Sequence, residues 1–125
     1  MEVKIPILNN EYAVIVCNGN LKELSKTLKR YHYPDYSDKF VKEATDQRRG
    51  ATFYGHRCYP IIWIDKYSPA TDAVGTLAHE AVHAVVSIFE LIDERSYDEV
   101  FAHSVGAIVR EVLDEWKIFR TTAKQ

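Results

Sequence analysis

Residues 60–92 read PIIWIDKYSPATDAVGTLAHEAVHAVVSIFELI, and a change of period inside this stretch decides the fold class. Ile61, Ile62, Trp63 and Ile64 form an unbroken apolar run, the pattern of a strand buried on both faces. Ser68-Pro69 follows, a cap residue and a first-turn proline, and predicts a long helix over residues 71–92. At 100° per residue, Val74, Leu77, Ala78, Ala81, Val82, Val85, Ile88, Phe89 and Ile92 cover one broad arc of that helix.

Downstream, Ser96 is a cap for a last helix over about residues 97–119. It is expected to bury Phe101, Val105, Ile108, Val112, Leu113, Trp116 and Phe119. Upstream, residues 51–58 form a second strand candidate. Residues 3–8 and 12–17 are apolar and β-branched, with Asn9-Asn10 between them as a turn. Asn20 and Glu23 have the spacing of a reciprocal cap, opening a short helix to about Tyr31 with Leu21, Leu24 and Leu28 as its apolar stripe. Pro34 ends that unit. Residues 35–50 are polar, with one turn of helix around Phe40, Val41 and Ala44. The order is strands, helix, strands, then two long helices. The class is α+β.

The chain has 125 residues, of which 46% are hydrophobic and 27% charged, enough for one domain over residues 1–125. That balance excludes wholesale disorder. No apolar run reaches the ~18–20 residues of a membrane span, and no N-terminal run resembles a signal peptide. The net charge of −2 argues against a dedicated nucleic-acid binder, but it is unevenly spread. Residues 21–50 carry 8 basic and 5 acidic side chains, net +3; residues 51–125 carry 7 and 11, net −4. Cys17 and Cys58 form no CxxC, and reduced thiols in a cytoplasm are expected.

The chemistry sits in Leu77-Ala78-His79-Glu80-Ala81-Val82-His83, which contains HExxH. Two histidines at i and i+4 leave one helix face about 6 Å apart, close enough to bind one Zn²⁺. Glu80 lies a quarter-turn away, where it can serve as general base toward a metal-activated water without ligating the metal. On the wheel both histidines fall at the border of the buried arc, half sheltered. The competing reading is two helix histidines beside a solvated glutamate.

A catalytic zinc needs a third protein ligand and one open position. Val86 and Phe89 stand where a longer HExxHxxGxxH motif has glycine and histidine, so the third ligand is expected from the next helix. Glu99 and His103 lie there at i and i+4, with Ala102 and Gly106 beside them as small residues that would let the helices approach. Glu99 is the expected metal ligand. It also completes a capping box from Ser96, in which it would only bond back to the helix start.

TLAHEAVHAVV followed by DEVFAHSVGAIV resembles the zincin superfamily over about residues 61–113, most of all the small HExxH proteins of bacteriophages and prophages. The resemblance implies a minimal zincin-like domain, a small mixed sheet with the HExxH helix and a long C-terminal helix after it. The glutamate-zincin pattern ExxxD maps its third ligand onto Glu99, with His103 where the aspartate would be. It also implies that a strand before the helix, residues 60–65, is the edge that aligns a peptide substrate. For a phage-encoded chain the compartment would be the host cytoplasm.

Together these features predict a zinc metallopeptidase with His79, His83 and Glu99 on the metal, Glu80 as general base, and a peptide or protein substrate. His103 or Tyr97 would steady the oxyanion. Two alternatives stand beside it. One is a binding or inhibitor protein on a zincin scaffold with little or no hydrolysis. The other is a closed structural site with His103 as fourth ligand. Weaker candidates are His56 with Cys58 as a thiol or second metal pair, and Tyr31, Tyr33 and Tyr36 as a groove lining. Lys39, Lys42, Arg48 and Arg49 could touch nucleic acid or an acidic partner but read better as a solvated face. Glu90 shares the helix stripe of the histidines and could pair with Arg110 in a structural role.

Overall fold

The computed structural model describes residues 1–34, 37–55, 57–66, 68, 70–91 and 99–115. β1 (Glu2–Ile7) and β2 (Tyr12–Gly19) form the expected hairpin. Its turn puts Leu8, Asn9 and Asn10 at positive φ, a conformation asparagine tolerates better than most residues. Asn20 then caps α1 (Leu21–Arg30): its side chain accepts from Glu23 N at 2.9 Å and Glu23 Oε1 accepts from Asn20 N at 3.4 Å.

The polar stretch after Pro34 holds more structure than its composition suggests. Ser37 caps a two-turn helix, α2 (Asp38–Thr45), where only a turn was expected. Its apolar positions are few, and Val41 and Thr45 alone are buried, so the periodic signal is faint. β3 (Gly50–Phe53) is shorter than expected, because a turn with Arg57 at positive φ takes up the residues before β4 (Ile61–Asp65). α3 (Ala70–Leu91) and α4 (Glu99–Glu115) complete the order. Ser68, expected as the cap of α3, is buried, and its Oγ has no hydrogen-bond partner among the described residues. The first-turn Pro69, the Ser96 cap, and Ile92, Trp116 and Phe119, expected to be buried, lie outside the described residues.

The four strands make one mixed sheet in the order β1-β2-β4-β3. β2 and β4 pair parallel at its centre, and β1 and β3 are antiparallel edges. β4 is therefore an interior strand, which corrects the expectation that residues 60–65 form the edge. Its run of four buried residues is explained by cover on both faces. On one side Ile62 and Ile64 pack with Val14, Val16, Leu77, Phe89 and Ile108 under α3 and α4. On the other, Ile61 and Trp63 pack with Ile15, Leu24, Leu28 and Phe53 under α1 and α2. Trp63 Nε1 donates to Gly19 O at 2.9 Å, so the largest ring at the centre has its polar atom satisfied. No helix among the described residues is long and apolar enough to cross a membrane.

α3 faces the sheet slightly differently from the wheel. Ala73, Leu77, Ala81, Ala84, Val85, Ile88 and Phe89 are buried, whereas Val74, Ala78 and Val82 are exposed. Alanines at 73, 81 and 84 let the helix axis come close to the strands, and the contact centres on them rather than on the bulkier valine row. The same rotation carries Glu80 inward.

Candidate metal centre

Glu80 and the two histidines share one stretch of α3 but stand in different environments. The His79 side chain is 70% exposed and that of Glu80 only 10%. The histidines are thus more open than the expected half shelter, and the glutamate is the buried member. Their ligand atoms gather closely: one nitrogen from each histidine and one Glu80 oxygen all lie within 4.8 Å of one another. His79 Nε2 and His83 Nε2 are 3.2 Å apart. Two nitrogens at tetrahedral positions ~2.0–2.1 Å from one zinc would be separated by about 3.3 Å. The two imidazole nitrogens are therefore spaced as a pair that could hold one metal ion.

The carboxylate is held from the sheet. Thr52, on β3, places Oγ1 2.8 Å from Glu80 Oε2 and 3.1 Å from Glu80 O. A hydroxyl has one proton, and the carboxylate is the stronger acceptor. Oε2 is thereby anchored, while Oε1 faces His79 Nε2 at 3.9 Å. This separation exceeds the spacing of two ligands on one tetrahedral ion. It matches a group acting beside the metal rather than on it.

The close approach of α3 to β3 depends on Gly50. A Cβ there would lie 2.2 Å from Thr76 Cγ2 and 3.5 Å from Glu80 Cγ. A side chain at 50 would have to displace the Thr76 methyl and would press on the Trp63 carbonyl, 3.1 Å away. Arg48, Arg49, Gly50, Gly75 and Thr76 line an open groove together with His79 and Glu80. Arg49 Nη1 reaches Asp72 Oδ2 at 3.4 Å, an exposed pair that bridges the strand entry to the first turn of α3.

Glu99 is not brought to the histidines. It opens α4 with an 89%-exposed side chain, and its Oε2 lies 3.9 Å from His103 Nε2. The Phe89 and Phe101 rings meet at 5.6 Å, so the start of α4 lies beside the far end of α3. His83 and His79 sit six and ten residues earlier, roughly 9–15 Å along the helix axis. His103 lines a groove with Pro6, Ile7 and the Leu8–Asn10 turn of β1, at the sheet edge opposite β3. The small-residue argument for a close helix contact also fails. Ala102 is exposed, and a Cβ on Gly106 would meet nothing within 4 Å. The groups the sequence did not single out are Thr52, Gly50 and Thr76. Their link to Glu80 crosses 28 residues in the case of Thr52 and leaves no local pattern.

The other candidates have structural places. Among the described residues neither Cys17 nor Cys58 is in a disulfide. Burial pushes the Cys17 thiol up, against a hydrogen bond from Thr27 that lowers it. Cys58 Sγ is 3.8 Å from His32 O, and His56 lies outside the described residues. Tyr31 OH donates to Glu2 Oε2, and Tyr33 OH to Phe53 O at 2.9 Å. Glu90 and Arg110 line separate grooves rather than pairing. No protein-family model, curated protein or solved structure matches the chain.

Proposed function

We propose that the chain is a minimal zinc-dependent metallopeptidase with a zincin-like fold, acting on peptide or protein substrates. One observation carries the reading: two imidazole nitrogens 3.2 Å apart beside a buried carboxylate fixed by Thr52. His79 and His83 would hold the ion; among the described residues only Glu80 stands with them, so Glu99 is not the third protein ligand and none is assigned. When bound, zinc supplies a Lewis acid that polarises a carbonyl and makes water acidic.

The chain's own residues account for proton movement and alignment. Glu80 Oε1 takes the proton of the water whose oxygen bonds to the substrate carbonyl carbon. It then gives that proton to the departing amine as the C–N bond breaks. Thr52 keeps the carboxylate from rotating away during both transfers. β3 is the antiparallel edge strand beside this groove, so it takes the aligning role expected of an edge: an extended substrate backbone pairs with it. A mixed sheet with an antiparallel edge and the HExxH helix directly after the neighbouring strand supports the zincin-like assignment.

The test is metal analysis with peptide hydrolysis. Purified protein should bind about one zinc per chain and cleave a fluorogenic peptide mixture. Glu80→Gln should keep zinc and fold and lose cleavage. Failure to take up zinc, or hydrolysis by the Glu80→Gln variant at the parental rate, overturns the reading.

A further inference from the structure

Two recesses open on either side of β3, and the strand's hydrogen-bond register says how one substrate could use both. Asp65 N donates to Arg49 O at 2.8 Å. Antiparallel pairs alternate between bonded and non-bonded, so the bonded pairs are 49/65, 51/63 and 53/61. Gly50 and Thr52 consequently direct their N–H and C=O away from β4, to the open edge. Side chains alternate as well. Thr52 turns to Glu80 on α3, while Ala51 and Phe53 turn to the α1/α2 side.

On that second side lies a cavity of about 560 Å³. Tyr33, Phe40, Ala44, Phe53 and Tyr54 give it a largely aromatic wall. The Phe40 and Phe53 rings pack edge to face at 6.2 Å, and Phe40 and Tyr54 are 43% and 64% exposed. The volume falls within the ~300–1,000 Å³ of ordinary ligand sites, and the lining is apolar enough to favour an apolar occupant. Arg48 lines both this cavity and the groove of His79 and Glu80, and it makes no ion pair among the described residues. Glu43 also lines the cavity, so a negative group is favoured at the Arg48 end and not beside Glu43.

We infer that the cavity is a side-chain subsite for a large apolar residue of an acidic peptide laid along the free edge of β3, which rests on the peptidase reading above. An extended peptide bonded to Gly50 and Thr52 has the same period of two. The residue opposite Thr52 faces Glu80 and the histidines; the residue next to it faces the aromatic wall. The substrate class is therefore a segment with Leu, Met or Phe adjacent to the cleaved position and an Asp or Glu side chain within reach of Arg48.

The test uses fluorescein-labelled peptides of sequence Gly-Glu-Leu-Ala-Glu-Gly, with Leu replaced by Phe or Ala, or both Glu by Lys. Binding to the Glu80→Gln protein, followed by anisotropy, separates recognition from hydrolysis. The Leu and Phe peptides should bind at least tenfold tighter than the Ala peptide, and the Lys peptide at least fivefold weaker than its parent. Ala44→Trp, which fills the cavity from α2, should erase the Leu/Ala difference, with circular dichroism and zinc binding showing that the fold is kept. Arg48→Ala should erase the Glu/Lys difference instead. Equal binding of the Leu and Ala peptides, or no binding of any, overturns the subsite. Cleavage by zinc-loaded parental protein reads the other question. Selective binding without cleavage overturns the peptidase reading and leaves the subsite standing; cleavage without apolar preference does the reverse.

Discussion

Thr52 Oγ1 lies 2.8 Å from Glu80 Oε2, a bond that ties the edge strand to the helix carrying both histidines. It spans two elements whose separate packing would leave Glu80 free to choose another rotamer. Thr52→Val keeps the branched shape and removes the donor. The expected result is a stability loss of about 1–3 kcal/mol in urea unfolding. Peptide hydrolysis should fall roughly 10–100-fold, as for other residues that orient a metal site from outside it. An unchanged rate would mean that Glu80 is held by something other than Thr52.

The metal assignment separates two pairs of histidine- and glutamate-bearing turns. On the proposed reading His79→Ala and His83→Ala would each remove a ligand and should weaken zinc binding well beyond the ~10–100-fold typical of an outer partner. Glu99→Ala and His103→Ala, at the opposite edge of the sheet, should leave zinc affinity as it was. Titration against a chromophoric chelator reads all four. Release of zinc by Glu99→Ala would restore Glu99 as a ligand.

Gly50 is a packing requirement with a specific partner. Gly50→Ala sets a Cβ against Thr76 Cγ2 and should cost about 1–3 kcal/mol. Thr76→Ser removes that methyl, so the double variant should recover much of the loss. A double-mutant cycle in urea measures the coupling, and additive losses would show that the clash is relieved elsewhere.

Trp63→Phe should cost about 1–3 kcal/mol, because it deletes the indole donor to Gly19 O and leaves a gap in a fully covered layer. Lys66 N also reaches Gly19 O, at 3.3 Å, and keeps that carbonyl from being orphaned. The loss should therefore fall in the lower half of that range. Thermal unfolding followed by circular dichroism checks it.

Burial, with a smaller contribution from Cys58, pushes the Tyr33 phenol well above its ordinary value of 10.0. The folded chain thus keeps a proton that the unfolded chain releases. Its contribution is fully present below about pH 10 and is lost as pH rises beyond that. The urea midpoint of the parental protein should drop between pH 9 and pH 11, and Tyr33→Phe should drop less. Equal slopes would remove Tyr33 as the cause.

Much of this architecture was legible in residues 60–92, because a four-residue apolar run and a 3.6-residue stripe are local signals. The Asn20–Glu23 cap was equally local and is present. What the sequence hid was relational. Strand order is settled by the parallel union of β2 with β4, between residues 46 apart such as Ile15 and Ile61, so β4 could not be recognised as interior. α2 was reduced to a turn because a small helix resting on one edge buries few residues. At the site, HExxH gave the two histidines and the glutamate. It did not indicate that the glutamate turns inward, which follows from alanines drawing α3 against the strands and from Thr52 waiting there. Glu99 looked favourable because spacing along a chain says nothing about which edge of a sheet a following helix covers.

The parallel union of β2 and β4 also governs how the chain can reach its fold. Closing about 40 residues between them costs roughly 3 kcal/mol of chain entropy, against about 1 kcal/mol for the short turn between β1 and β2. The β1–β2 hairpin with α1, and β3–β4 with the start of α3, are each assembled from neighbours in sequence. The central seam is therefore the costliest closure in chain entropy. Glu80, His79 and Thr52 lie on β3 and α3 within 28 residues of one another, so their grouping closes a shorter loop than the seam does.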